Sequence, residues 1–152
     1  MTPLSVSSSQ PDKSCPGFQD PRFVLPFLVG SDVEFFDQII ELARLHDPTN
    51  RNRFDPGHFT ASGFVVSPDG SSLLLVHHRR LDRWLQPGGH IDPEDDSPMA
   101  AAAREVFEET GINTEPIHGD LIDLDIHPIP PRAPEPGHEH FDLRFGFRAL
   151  DT

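Results

Sequence analysis

Seventeen prolines and eleven glycines in a chain of 152 residues set the first limit on its fold. Proline removes a backbone donor and clashes with the preceding helical turn, so a chain punctuated this often is no helical bundle or coiled coil. An apolar content of 36% still suffices for one core. The nearest approach to a membrane span, Phe23 to Gly30, falls well short of the roughly 18 apolar residues required. No secretory signal is expected, because a basic segment followed by a long apolar one is missing at the N-terminus. The single cysteine, Cys15, excludes an internal disulfide and a multi-cysteine zinc site. The expected location is reducing and cytoplasmic.

Charge narrows the partners. Twelve basic and 25 acidic side chains give a formal charge of −13, which repels a nucleic-acid polymer. A small anionic substrate remains compatible where bound cations and a few local arginines reverse the field.

Residues 1–22, rich in Ser and Pro, read as a mobile arm ahead of a single domain over 23–152. Ser31 and Glu34 form a capping box, and Val33, Phe36, Ile40 and Ala43 share a helical face up to Asp47-Pro48. Phe59–Val66, the turn Ser67-Pro68-Asp69-Gly70 and Leu73–His78 read as a β-hairpin. A basic stretch from Arg79 to Arg83 then leads through Trp84, expected in the core, to Gly88-Gly89. Ser97-Pro98 opens a second helix that Gly111 closes. Beyond it, Leu121–His127 is expected as a strand with Ile122, Leu124 and Ile126 on one face, followed by a proline-rich loop, 128–137. In the last strand Phe141, Leu143, Phe145 and Phe147 alternate with Asp142, Arg144 and Arg148. The order predicts a mixed α/β domain.

The second helix breaks local rules. Glu105, Glu108 and Glu109 stand at i, i+3 and i+4, one face, in the last two turns, where the helix dipole disfavours negative charge. Each such acid forfeits about 0.3–1 kcal/mol relative to a favourable placement. A hard divalent cation with oxygen ligands, Mg²⁺ or Mn²⁺, would resolve the conflict. The stretch Arg104-Glu105-Val106-Phe107-Glu108-Glu109-Thr110-Gly111-Ile112, with Gly89 upstream, resembles the box of the Nudix (MutT-like) hydrolases over residues 89–112. Two departures lie in its first half: one additional residue separates Gly89 from Arg104, and the family's lone Glu is replaced by Asp95 or Asp96, with Asp96 preferred.

The resemblance implies an α/β/α sandwich around a mixed sheet. The family's usual C-terminal helix has only Ala149–Thr152 left to form it, so the helix after Ser31 is a candidate to cover that face. It also implies Mg²⁺-dependent hydrolysis of a diphosphate linkage in a nucleoside diphosphate derivative. By resemblance, Glu105 and Glu109 are the metal ligands, with Glu108 a further ligand or the base, the Gly88 carbonyl completing the set and Arg104 orienting the carboxylates. Homodimers are common among relatives.

The general base and the substrate contacts are open in the sequence. Besides Glu108, the segment with His138, His140 and Asp142 is a candidate for the base, against an exposed polar strand face in a flexible loop. His77, Arg79 and Arg80 are candidates to hold distal phosphates, against a solvated turn. A zinc site on His138 and His140 lacks an identifiable third ligand. Two other functions compete with hydrolysis. A catalytically silent nucleotide-binding or regulatory domain has no need of the awkward triad, and an allylic diphosphate isomerase needs a reactive cysteine near the site.

Overall fold

The computed structural model describes residues 33–150. The expectation of an arm over 1–22, Cys15 and the cap at Ser31 lie outside the described residues. Among the described residues two helices, α1 (Val33–Arg44) and α2 (Pro98–Thr110), accompany seven strands. These are β1 (Gly57–Val66), β2 (Leu73–Leu74), β3 (Val76–His78), β4 (Arg83–Leu85), β5 (Gly88–His90), β6 (Thr114–Ile129) and β7 (His138–Ala149).

The main sheet runs β2-β1-β7-β6, with β5 also on β1. Among the described residues only β1 and β7 pair in parallel, from Gly57 beside Glu139 to Val66 beside Arg148; the other pairings are antiparallel, so the sheet is mixed as expected. The period of two along β7 sends Phe141, Leu143, Phe145 and Phe147 into the core, where they meet Phe59, Ala61 and Val65 of β1. Ala101, Ala102 and Val106 of α2 lie in the same cluster. Gly63 allows this close approach, since a Cβ there would stand 2.7 Å from Val106 Cγ2. Among the described residues no helix is long and apolar enough to cross a membrane.

Both ends of α2 follow from local chemistry. The Ser97 hydroxyl accepts from the Ala100 N–H at 3.1 Å, and Pro98 occupies a first-turn position with no donor to lose. Gly111 takes the left-handed conformation, φ 73°, and its N–H donates to the Phe107 carbonyl at 2.7 Å.

Tertiary pairing alters four expectations. The strand expected over Leu73–His78 breaks at Leu75, because the Pro87–His90 segment already occupies the adjacent part of β1, where the Gly63 N–H donates to the Pro87 carbonyl at 2.9 Å. Val76–His78 instead pairs with Arg83–Leu85 as a separate two-stranded ribbon. In β6 the register shifts on either side of Leu121 reverse the alternation, so Leu121 joins Leu124 and Ile126 against the core and Ile122 is exposed. The buried side of α1 is Ile39, Leu42 and Ala43; Ala43 is buried as expected, whereas Phe36 and Ile40 are only half-buried. The three buried residues belong to the cluster that holds α2, so α1 does not cover the opposite face of the sheet.

Candidate active site

Two short elements bring the acidic end of α2 against a backbone with no side chain in the way. At Gly89 of β5 a Cβ would stand 2.7 Å from the Glu105 carboxylate, so glycine is what leaves room for that group. Glu105 is mostly enclosed, its side chain 16% exposed, whereas that of Glu108 is 57% exposed. Burial, then the charge of Glu105, raises the pKa of Glu109; His78 at the end of β3 acts in the opposite direction. His78, next to the basic stretch 79–83, therefore stands near enough to act on the charge of Glu109.

Arg104 is the hub of the site. Its Nε and Nη2 donate to Asp95 at 3.0 and 2.8 Å, and Nη2 also donates to the His90 carbonyl at 3.0 Å. Nη1 donates to Glu105 at 2.8 Å and to Glu108 at 3.4 Å. These bonds, that to Asp95 foremost, raise the guanidinium pKa, and they hold Glu105 in place. Asp95, not Asp96, is the acid that meets Arg104. The Asp92 N–H donates to the Asp95 carboxylate at 2.8 Å, which turns that side chain toward α2 while Asp96 is exposed. Burial alone would raise the Asp95 pKa, but the hydrogen bonds and charge of Arg104 outweigh it and the net shift is downward.

The other sequence candidates separate. The His77 Nε2–H donates to the Asp82 carboxylate at 3.0 Å and its ring packs beside Trp84, while Arg79 and Arg80 are exposed. Trp84 is 65% exposed, not a core residue, because β3 and β4 pair only with each other and nothing is stacked over that face of the ribbon among the described residues. His138, His140 and Asp142 do share one strand face, but it is not the solvated surface their alternation suggested: Asp142 is 5% exposed and His138 9%. Thr60, Ser62 and Arg144 donate to Asp142 at 3.1, 2.7 and 3.0 Å, and Arg144 reaches Asp123 and Asp125 at 2.8 Å each. This face is opposite the one that carries Gly89 and Glu105, since Thr60 lies beside both His90 and Asp142 in register. With both carboxylate oxygens committed there, Asp142 is removed from the candidates for the base. Sequence reasoning missed His58 and His90, which join His138 and His140 from β1 and β5; their ring centroids lie 4.8 Å (His58–His140) and 5.5 Å (His90–His140) apart.

A family model for the NUDIX domain matches residues 57–150, which include the whole of this site. The chain belongs to the Nudix family. A diphosphoinositol polyphosphate phosphohydrolase 3-beta of Bos taurus is 38% identical over 69 residues, 43% of this chain and 42% of that protein. A putative 8-oxo-dGTP diphosphatase of Bacillus subtilis (strain 168) is 41% identical over 56 residues, 36% of this chain and 37% of that protein. The chain thus spans about two fifths of the length of these curated relatives. A NUDIX-family hydrolase of Clostridium perfringens, 24% identical, superposes with a TM-score of 0.51 over 68% of this chain and 73% of that one, which shows the shared fold.

Proposed function

We propose that this Nudix protein hydrolyses a phosphoanhydride bond in a small anionic substrate, a nucleoside diphosphate derivative, with Mg²⁺ or Mn²⁺ held at the acidic end of α2. The carrying observation is the pair Glu105–Glu109. The charge of Glu105 acts on Glu109 in a partly enclosed site while Arg104, which touches Glu105, is also committed to Asp95 and Glu108. That donor set is hard oxygen, which fits a hard divalent ion. Glu105, Glu109 and the Gly88 carbonyl would hold it. When bound, such an ion neutralises phosphate charge and lowers the pKa of water.

The protein's own groups supply the rest. Arg104 fixes the rotamer of Glu105, and Asp95 fixes Arg104. Glu108, the most solvent-accessible carboxylate touching Arg104, takes the proton of the attacking water as a bond to phosphorus forms and the bridging oxygen leaves. His78, Arg79 and Arg80 receive the distal phosphates. Trp84, exposed on the ribbon that leads into Gln86 and Gly88, offers a face for a nucleobase. A phosphoanhydride is also what the names of the diphosphoinositol and 8-oxo-dGTP relatives have in common. A reducing, cytoplasmic setting is the matching proposal for location, resting on the single cysteine.

The test is phosphate or diphosphate release from nucleoside triphosphates, a dinucleoside polyphosphate, a nucleotide sugar and a diphosphoinositol phosphate in Mg²⁺, with EDTA as control. Turnover of a nucleotide member that EDTA abolishes supports the proposal. Binding of Mn²⁺ without turnover of any member would make the domain a silent one.

A further inference from the structure

The geometry points to a second metal site, for a transition metal of the Zn²⁺ class, ligated by His58, His138 and His140 on the sheet face opposite Glu105. One ring nitrogen from each of the three lies within 4.8 Å of the others. Strand geometry produces this convergence: His138 and His140 are two apart on β7 and so share a face, and His58 of β1 lies beside His140 in the parallel register.

The hydrogen bonds decide which nitrogens point inward. His58 Nδ1 meets the Arg53 carbonyl at 2.9 Å, and His138 Nδ1 meets the Pro136 carbonyl at 3.0 Å. A carbonyl oxygen only accepts, so both Nδ1 atoms carry the proton and both Nε2 atoms present lone pairs. Backbone carbonyls fix metal-binding histidines in the same way. His58 is fully buried, and its Nε2 has no hydrogen-bond partner among the described residues. A buried acceptor left unpaired is costly, and a cation removes the cost. His138 Nε2 accepts a hydrogen bond from His140 Nε2–H at 3.3 Å, a proton that a metal ion would replace. Two nitrogens bound to one tetrahedral Zn²⁺ at the usual bond length stand about 3.3 Å apart.

Chemistry separates this site from the carboxylates of α2. Imidazole nitrogens select Zn²⁺, Co²⁺, Cu²⁺ or Ni²⁺ over Mg²⁺. His90 adds a fourth ring at the rim, 5.2 Å from His58 between centroids. An ion here ties β1 to β7 and anchors the loops carrying Arg53 and Pro136, a structural clip independent of turnover.

The experiment is a Co²⁺ titration of the tag-free, chelator-treated full chain. One Co²⁺ per chain is expected, with the visible absorption of a four-coordinate site, displaced by one equivalent of Zn²⁺ and insensitive to excess Mg²⁺. Glu109→Gln keeps it, whereas His138→Gln and His140→Gln each weaken binding tenfold or more. Absence of the band in excess Co²⁺, full affinity in both histidine variants, or loss of binding in Glu109→Gln would overturn the assignment. Circular dichroism checks that the variants fold. Should they unfold, X-ray absorption of the Zn²⁺-loaded wild type decides, three imidazole shells supporting the site and an oxygen shell contradicting it.

Discussion

Replacing Gly89 by alanine perturbs the position of Glu105 and little else. The new methyl would stand 2.7 Å from the Glu105 carboxylate, and ordinary contact begins at 3.4 Å. The carboxylate must therefore retreat by about 0.7 Å, more than the roughly 0.5 Å within which a catalytic group has to be held. Because the obstacle is the free end of a flexible side chain, the fold can yield cheaply. A stability change within about 1 kcal/mol is expected, as for substitutions that touch no core contact. The retreat strains the 2.8 Å bond from Arg104, and a displacement of this size costs on the order of 10–100-fold in turnover. Urea unfolding, Mn²⁺ binding by electron paramagnetic resonance and turnover of the preferred substrate form the assay. Weaker Mn²⁺ binding and slower turnover with an unchanged urea midpoint are expected. Retention of both within twofold, or a loss of more than about 2 kcal/mol in stability, would refute the reasoning.

Gly63→Ala should do the reverse, since its methyl would meet Val106 Cγ2 at 2.7 Å and Phe147 Cδ2 at 3.0 Å inside a packed core; a loss of about 1–3 kcal/mol is expected by urea unfolding, with Mn²⁺ affinity of the folded fraction intact. Asp95→Asn should cost about 2 kcal/mol at neutral pH, less than a fully buried pair because Arg104 retains Glu105 and solvent contact. Its pH dependence follows from the downward shift of the Asp95 pKa: the contribution is fully present above the unfolded value near 3.9 and fades as pH falls through the folded one, so wild type and variant should converge in acid urea titrations. Trp84→Ala should raise KM for nucleotides several-fold while sparing kcat and any substrate without an aromatic base; an equal effect on both classes would remove the stacking role.

The parts of the fold that were legible in the sequence are those fixed by near neighbours. Ser97-Pro98 and Gly111 delimit α2 because a cap acts within one turn, and the alternation of Phe141 through Phe147 reads correctly because a strand's period is local. The triad at Glu105, Glu108 and Glu109 stood out for the same reason, as an electrostatic conflict within a single helix. What was hidden depends on pairing between distant strands. Competition between Leu75 and Pro87 for the same edge of β1 broke the second strand, and a bulge beside Leu121 reversed Ile122. Asp95 prevailed over Asp96 through a turn with Asp92 that composition does not disclose. The spacing of His138 and His140 was visible, yet their third partner comes from β1, placed beside them only by the parallel register.

The central claim, that diphosphate chemistry depends on the acidic end of α2, is tested most directly by the turnover of Glu109→Gln in Mg²⁺ beside the wild type. The substitution keeps size and helix propensity and removes one charge. The account predicts a loss of at least about 100-fold with an unchanged circular dichroism spectrum and urea midpoint, the scale expected for removing a metal-binding group. Equal turnover by the two proteins would contradict it.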